Sequence, residues 1–149
     1  MILATNEVDR RKALDKLLES KPGIKVATEI EDINIVIDGD MIKQILWNLV
    51  NNAMDALDDN GVVKIIGKKD PSENIYHLLV QDNGCGMDED TMARAFDPFF
   101  TSKESGTGIG LAMVKQQINA MNGEVELISE VGAGTTCHLK LPTDSEATL

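Results

Sequence analysis

The residues best suited to chemistry lie between Leu79 and Leu111. An apolar run, Tyr76 to Val80, delivers an aspartate onto a turn with two glycines, Asp82-Asn83-Gly84-Cys85-Gly86-Met87. An aspartate at the end of a central strand, facing a pocket, is costly unless its oxygens accept hydrogen bonds. The exocyclic amine of a nucleobase supplies such a donor, and favours adenine over guanine by polarity. Gly84 and Gly86 let the backbone approach a flat ring where any Cβ would intrude. An ordinary β-turn at a strand end fits Asp-Asn-Gly equally well.

A second glycine cluster, Gly106-Thr107-Gly108-Ile109-Gly110, runs into Leu111 and opens a helix. Backbone N–H groups left free there face an anion, and the helix dipole adds partial positive charge. The spacing is not Gly-x-Gly-x-x-Gly and a loop precedes it, which disfavours dinucleotide binding. No Gly-Lys-Ser/Thr follows any glycine run, so a Walker A loop is missing. A plain helix start with permissive glycines stays open. Between the clusters, Phe96-Asp97-Pro98-Phe99-Phe100-Thr101-Ser102-Lys103 reads as neither helix nor strand, a lid whose Lys103 can reach phosphates.

A third pattern lies upstream. Gln44, Asn48, Asn52, Asp55 and Asp59 form one stripe of a helix whose opposite stripe is apolar. Solvated helix faces normally use Lys and Glu, because Asn and Asp are poorer helix formers. Asn48 and Asn52 stand one above the other, with Asp55 beside them. Their amide oxygens suit Mg²⁺, a hard cation that keeps several waters, without adding carboxylate charge beside phosphates. A solvated face that happens to hold asparagines is the simpler alternative.

The elements that must position these residues follow from periodicity and breakers. Met1 to Thr5 reads as a short edge strand, and Asn6 caps a helix to about Ser20, stopped by Lys21-Pro22-Gly23. Lys25 to Ile30 and Ile33 to Ile37 read as strands. Asp40 caps the helix Met41 to about Asp58. Strands follow over Val62 to Gly67 and Ile75 to Gln81, then a short helix from Met87 to Ala95 capped by Asp88 and ended by Pro98. Thr107 to Met121 is helical, and Glu124 to Ser129 with Thr135 to Leu141 forms an antiparallel hairpin. Strands in adjacent pairs with interspersed helices argue against a doubly wound sheet. They predict an α+β fold, a mixed sheet with helices on one face. Residues 1–142 read as one domain and 143–149 as a frayed tail.

Composition limits the partners. Of 149 residues, 14 are Lys or Arg and 25 Asp or Glu, a net charge of −11 that disfavours nucleic acid. A nucleotide stays possible, since helix termini, few basic side chains and a cation can hold it. No run reaches a membrane span, so the fragment is expected to be soluble without direct membrane contact. Cys85 and Cys137 supply no disulfide framework, and with His77 and His138 they lack metal-site spacing. Cys85 reads as a small residue in a tight turn, and the histidines as structural or surface groups.

These motifs, in this order, resemble the ATP-binding catalytic domain of bacterial sensor histidine kinases, within the superfamily shared with DNA gyrase B, Hsp90 and MutL. The N box is similar to Gln44 to Leu57, the G1 box to Asp82 to Met87, the F box to Phe96 to Phe100, the G2 box to Gly106 to Leu111, and the last glycine motif to Gly132-Ala133-Gly134-Thr135-Thr136. The resemblance covers residues 1 to about 142. The Asp-Pro-Phe-Phe-Thr-Ser-Lys form most resembles nitrogen-regulatory kinases.

The resemblance implies a two-layer α/β sandwich, a mainly antiparallel five-stranded sheet with three principal helices, the Bergerat-type fold. It implies ATP and Mg²⁺ as ligands: Asp82 at the adenine amine, Asn52 the principal metal ligand, and Asn48 helping at metal or phosphates. Asp55, Gly84, Gly86, Met87, Thr107, Ile109, Leu111 and Thr135 complete the nucleotide site. Gly106, Gly108 and Gly110 shape the hinge, and Lys103 contacts phosphate. Asn48 stands where hydrolytic branches resemble a glutamate, and an asparagine is no general base. The implied function is to present the γ-phosphate to a histidine on a separate dimerisation domain, with a response regulator downstream. This fragment should be monomeric and cytoplasmic, and should not autophosphorylate alone. A gyrase- or chaperone-type ATPase switch, a serine kinase regulating a sigma factor and a non-enzymatic nucleotide sensor are the alternatives.

Overall fold

A computed structural model of the chain describes residues 23–31, 39–57, 60–98 and 110–142. Five strands, β1 (Ile24–Ile30), β2 (Gly61–Lys69), β3 (Ile75–Asp82), β4 (Glu124–Glu130) and β5 (Gly134–Pro142), form one sheet in the order β1-β2-β3-β5-β4. The helices are α1 (Gly39–Asp55), α2 (Glu89–Arg94) and α3 (Gly110–Ala120). β1 and β2 pair in parallel, the geometry that requires a crossover, and α1 supplies it. The other pairings are antiparallel. This is the mixed sheet that the sequence pattern predicts, and the mainly antiparallel five-stranded sheet with three helices that the resemblance implies.

Alternation explains how the sheet is covered. Val63 and Ile65 of β2, Tyr76, Leu78 and Val80 of β3, and Cys137, Leu139 and Leu141 of β5 are buried, two residues apart along each strand. Against that face pack Ile42, Ile45, Leu49, Val50 and Ala53 of α1 with Val114 and Ile118 of α3, at helical spacing. Tyr76, only 1% exposed, keeps its hydroxyl satisfied by donating to the Glu31 carbonyl at 2.9 Å. That bond ties β3 to the end of β1 across β2.

Element ends differ from expectation by local chemistry. Helix α1 begins at Gly39, so Asp40 lies in its first turn instead of preceding it. Its α-helical part ends at Asp55, because Ala56 and Leu57 donate three residues back, to Ala53 and Met54, tightening the last turn. α2 is shorter than expected. Asp88 caps it, its carboxylate accepting from Thr91 N at 2.8 Å. The expected elements at Met1 to Thr5, Asn6 to Ser20 and Ile33 to Ile37, the start of the helix at Thr107, and the tail 143–149 lie outside the described residues.

Candidate functional site

Three strand ends meet on the helix-covered face. Asp82 closes the inward row of Tyr76, Leu78 and Val80; Thr135 opens that of Cys137, Leu139 and Leu141; Ser129 ends the row of Val125 and Leu127. The register sets Asp82 opposite Thr135 and Ser129 opposite Thr135. Asp82 Oδ1 accepts from Gly84 N at 2.9 Å and from Thr135 N at 3.3 Å. Both bonds fall on one oxygen, and no hydrogen bond reaches Oδ2 among the described residues. Burial pushes the Asp82 carboxyl above its ordinary value of 3.8, and the two backbone N–H groups oppose that rise.

The glycines of the turn answer to the protein's own backbone. A Cβ on Gly84 would collide with the carbonyl oxygen of Ala56, just past α1, and one on Gly86 with that of Glu130. Gly86 also holds φ of 71°, where side chains are disfavoured. Bonds from Cys85 N to Ala56 O (3.2 Å) and from Gly132 N to Cys85 O (2.8 Å) fix the same crossing. The close approach that the sequence suggested for a flat ligand ring is thus, in the first place, an approach of chain to chain.

Ser129 is the residue that sequence reasoning missed. Its hydroxyl accepts from Met87 N at 2.8 Å, donates to Gly134 O at 3.0 Å and lies 2.7 Å from Thr135 Oγ1. A serine in an otherwise apolar inward row, opposite Thr135 in the hairpin, is the signal that marks it.

Helix α1 contributes the amide stripe. Because the Ala56 carbonyl reaches the Asp82 turn, Asn52, one turn earlier and half-buried, stands toward the same end of the sheet. Asn48, a further turn back, lies about van der Waals distance from where a Gly110 Cβ would be, 3.9 Å. Its Nδ2 is buried without a hydrogen-bond partner among the described residues. A buried donor without an acceptor is costly, and an anionic oxygen or a water would relieve it. The stripe is not simply solvated: Gln44 accepts from Gln117 of α3 at 2.8 Å. Asp55 is exposed, and Leu111 packs on the core. Phe96 carries the Lys115 ammonium 5.1 Å above its ring. Lys103, Gly106, Thr107, Gly108 and Ile109, with most of the expected lid, lie outside the described residues.

The remaining candidates for reactivity sit elsewhere. His77 and His138 lie on the opposite face, in a chain from Asp70 Oδ2 to His77 Nε2 (2.9 Å) and from His77 Nδ1 to His138 Nε2 (2.8 Å). Burial raises the Cys137 thiol to about 12, so it packs as a small apolar group. Among the described residues no group of three or more His, Cys, Asp and Glu side chains could hold a metal ion.

Comparison with known proteins places this geometry. The family described as histidine kinase-, DNA gyrase B-, and HSP90-like ATPase matches residues 37–145. The signal transduction histidine-protein kinase AtoS of Escherichia coli is 38% identical over 118 residues, 79% of this chain and 19% of that protein. Sporulation kinase A of Bacillus subtilis is 36% identical over 122 residues, 80% of this chain and 20% of that protein. The chain thus spans about a fifth of the length of the curated relatives it matches. Among solved structures, the catalytic domain of histidine kinase ThkA, nucleotide-free, superposes with a TM-score of 0.79 at 26% identity, covering 96% of this chain and 95% of that one. The mycobacterial sensor histidine kinase MprB gives 0.83 at 23% identity, with 95% and 96% covered, a likeness of fold.

Proposed function

The chain belongs to the histidine kinase-, DNA gyrase B-, and HSP90-like ATPase family, and from that membership we propose that it is the ATP-binding catalytic domain of a sensor histidine kinase. The observation that carries the nucleotide reading is the Asp82 carboxylate, whose two bonds from the described residues both fall on Oδ1. Oδ2 is left for a ligand donor, and the exocyclic amine of adenine is one. The Asn48 Nδ2 atom, buried without a hydrogen-bond partner among the described residues, supports a polyanion beside the start of α3, since a phosphate oxygen would satisfy it. The amide oxygens of the stripe fit Mg²⁺ with Asn52 as its main protein ligand and Asn48 assisting, with Lys103 as a phosphate contact. Mg²⁺ when bound supplies charge neutralisation on the phosphates. A full-length relative of similar fold, ShkA, was solved in complex with AMPPNP, at 28% identity over 88% of this chain.

Transfer, in this reading, proceeds to a histidine on a separate dimerisation domain. The imidazole nitrogen forms a bond to the γ-phosphorus while the bond from phosphorus to the β,γ-bridging oxygen breaks, and ADP leaves. Asn48 cannot take a proton from water, so the domain holds ATP for an outside nucleophile and hydrolyses it slowly. A response regulator then receives the phosphoryl group on the cytoplasmic side.

The test uses ATP labelled in its γ-phosphate. Alone, the chain should stay unlabelled and release little phosphate. Mixed with the histidine-bearing domain of its parent, it should label that domain with the acid-labile linkage of phosphohistidine. Acid-stable label would favour the serine-kinase reading, and rapid phosphate release the ATPase switch.

A further inference from the structure

We infer that Ser129 determines base specificity by fixing the direction of the Thr135 hydroxyl, so that Thr135 presents lone pairs, not a proton, to the base beside Asp82. This rests on the adenine-nucleotide reading above and adds a residue to it.

The argument is a count of protons. A serine hydroxyl has one proton to give and two lone pairs to receive with. Ser129 Oγ receives the Met87 N–H at 2.8 Å. Its own proton goes to the Gly134 carbonyl at 3.0 Å. The 2.7 Å contact with Thr135 Oγ1 is then a hydrogen bond only if Thr135 is the donor. In that arrangement all three contacts of Ser129 are satisfied together. If Ser129 instead gave its proton to Thr135, the bond to Gly134 O would be lost. The satisfied arrangement therefore commits the single Thr135 proton to Ser129 and leaves Thr135 as an acceptor.

Thr135 stands opposite Asp82 in the sheet register and donates its backbone N–H to Oδ1. The base end of the site thus holds two acceptors on residues that stand opposite each other in the sheet, Asp82 Oδ2 and Thr135 Oγ1. An exocyclic amine, with two N–H groups, suits such a pair. An exocyclic carbonyl meets lone pairs on both sides. Guanine could instead offer its N1 and N2 donors to a carboxylate, but that bidentate contact needs both oxygens open, and Oδ1 is already engaged by Gly84 and Thr135. Without the Ser129 hydroxyl, Thr135 is free to rotate and donate to a carbonyl.

The probes are ADP and IDP with Mg²⁺, titrated calorimetrically into the 149-residue chain. The two ligands differ at the exocyclic position, amine against carbonyl, and at the neighbouring N1, an acceptor in adenine and an N–H donor in hypoxanthine. The wild-type chain should prefer ADP. Ser129→Ala should narrow the ADP:IDP ratio about tenfold, roughly one misdirected hydrogen bond, by gaining IDP affinity. Ser129→Thr, which keeps a hydroxyl, should restore the ratio. If Ser129→Ala does not fold, Ser129→Cys replaces it, since a thiol accepts only weakly from Thr135. A ratio unchanged in the alanine or cysteine variant, or equal losses for both nucleotides, overturns the inference and leaves the adenine reading standing. A wild-type chain that binds neither nucleotide overturns both.

Discussion

Replacing Asp82 with asparagine separates binding from folding, and the structure predicts opposite signs for the two. The side chain keeps its shape, and its carbonyl oxygen can still accept from Gly84 N and Thr135 N, as Oδ1 now does. The amide NH₂ then points where Oδ2 stood, a donor facing the donor of the ligand amine. Turning the amide over sets that NH₂ against the Gly84 and Thr135 N–H groups instead. Either way two donors meet. A hydrogen bond to a charged group contributes about 1.5–3 kcal/mol, so the affinity for Mg-ADP should fall about 10- to 150-fold, at roughly 1.4 kcal/mol per decade. Stability should move the other way. The folded-state carboxyl is raised above its ordinary value of 3.8 by burial, so ionised Asp82 opposes folding at neutral pH. A raised group contributes stability that is fully present below the unfolded value and is lost as pH rises through the folded one. Asp82→Asn should therefore melt above wild type at pH 7, and the gap should close as pH falls through the raised Asp82 value. Calorimetric titration with Mg-ADP and melts across that range measure both. Affinity within threefold of wild type would refute the assignment of Oδ2 to the ligand, whatever the melts show.

Further outcomes follow from the geometry on each side of the sheet. Gly86→Ala must relieve both a positive φ and a collision with the Glu130 carbonyl, and should lower the unfolding free energy by about 2 kcal/mol or more in urea; a loss below 0.5 kcal/mol, within the usual surface range of about ±0.5 kcal/mol, would contradict the crossing. Tyr76→Phe leaves the Glu31 carbonyl without its buried donor and should be destabilising by about 1 kcal/mol. Equal stability in urea would mean that the hydroxyl is not what ties β3 to the end of β1. His138 is held below 6.5 by burial first, then by the charges of His77 and Lys140, against Glu126. A depressed value gives stability that is present above 6.5 and lost as pH falls, so wild type should lose stability in mild acid more steeply than His138→Gln. Parallel pH profiles would refute this.

The strands and the main helix were legible because burial is periodic. Lys25 to Ile30 was expected and Ile24–Ile30 is found; Ile75 to Gln81 was expected and Ile75–Asp82 is found; the closing hairpin starts at Glu124 as expected and differs by one residue at its other three strand ends. Alternation fixes which residues face inward, and one-residue slips would expose every one of them. Helix ends were less legible, since three-residue-back bonds at Ala56 and Leu57 depend on where the chain goes next. Within the site, Asp82 and Thr135 stood out by motif. Their pairing came from register, which turn signals locate only approximately. Ser129 did not stand out, because its partners Met87, Gly134 and Thr135 come from two segments that the sequence holds far apart.

The glycines show most clearly what a sequence can and cannot assign. Gly84 and Gly86 are recognisable as positions where a side chain is forbidden, but the sequence does not say what forbids it. Here the obstacles are the Ala56 and Glu130 carbonyl oxygens, contributed from the end of α1 and the tip of the β4–β5 hairpin. The turn that carries Asp82 is therefore clamped from two sides before any ligand arrives, and preorganisation of this kind lowers the ordering cost of binding. It also changes how substitutions should be read. A glycine variant in this turn that loses nucleotide has first lost the crossing, so its binding defect is not evidence of ligand contact. Asp82 and Ser129, whose side chains can be altered while the crossing stays intact, are the positions where a change in affinity or base preference reports on the ligand itself.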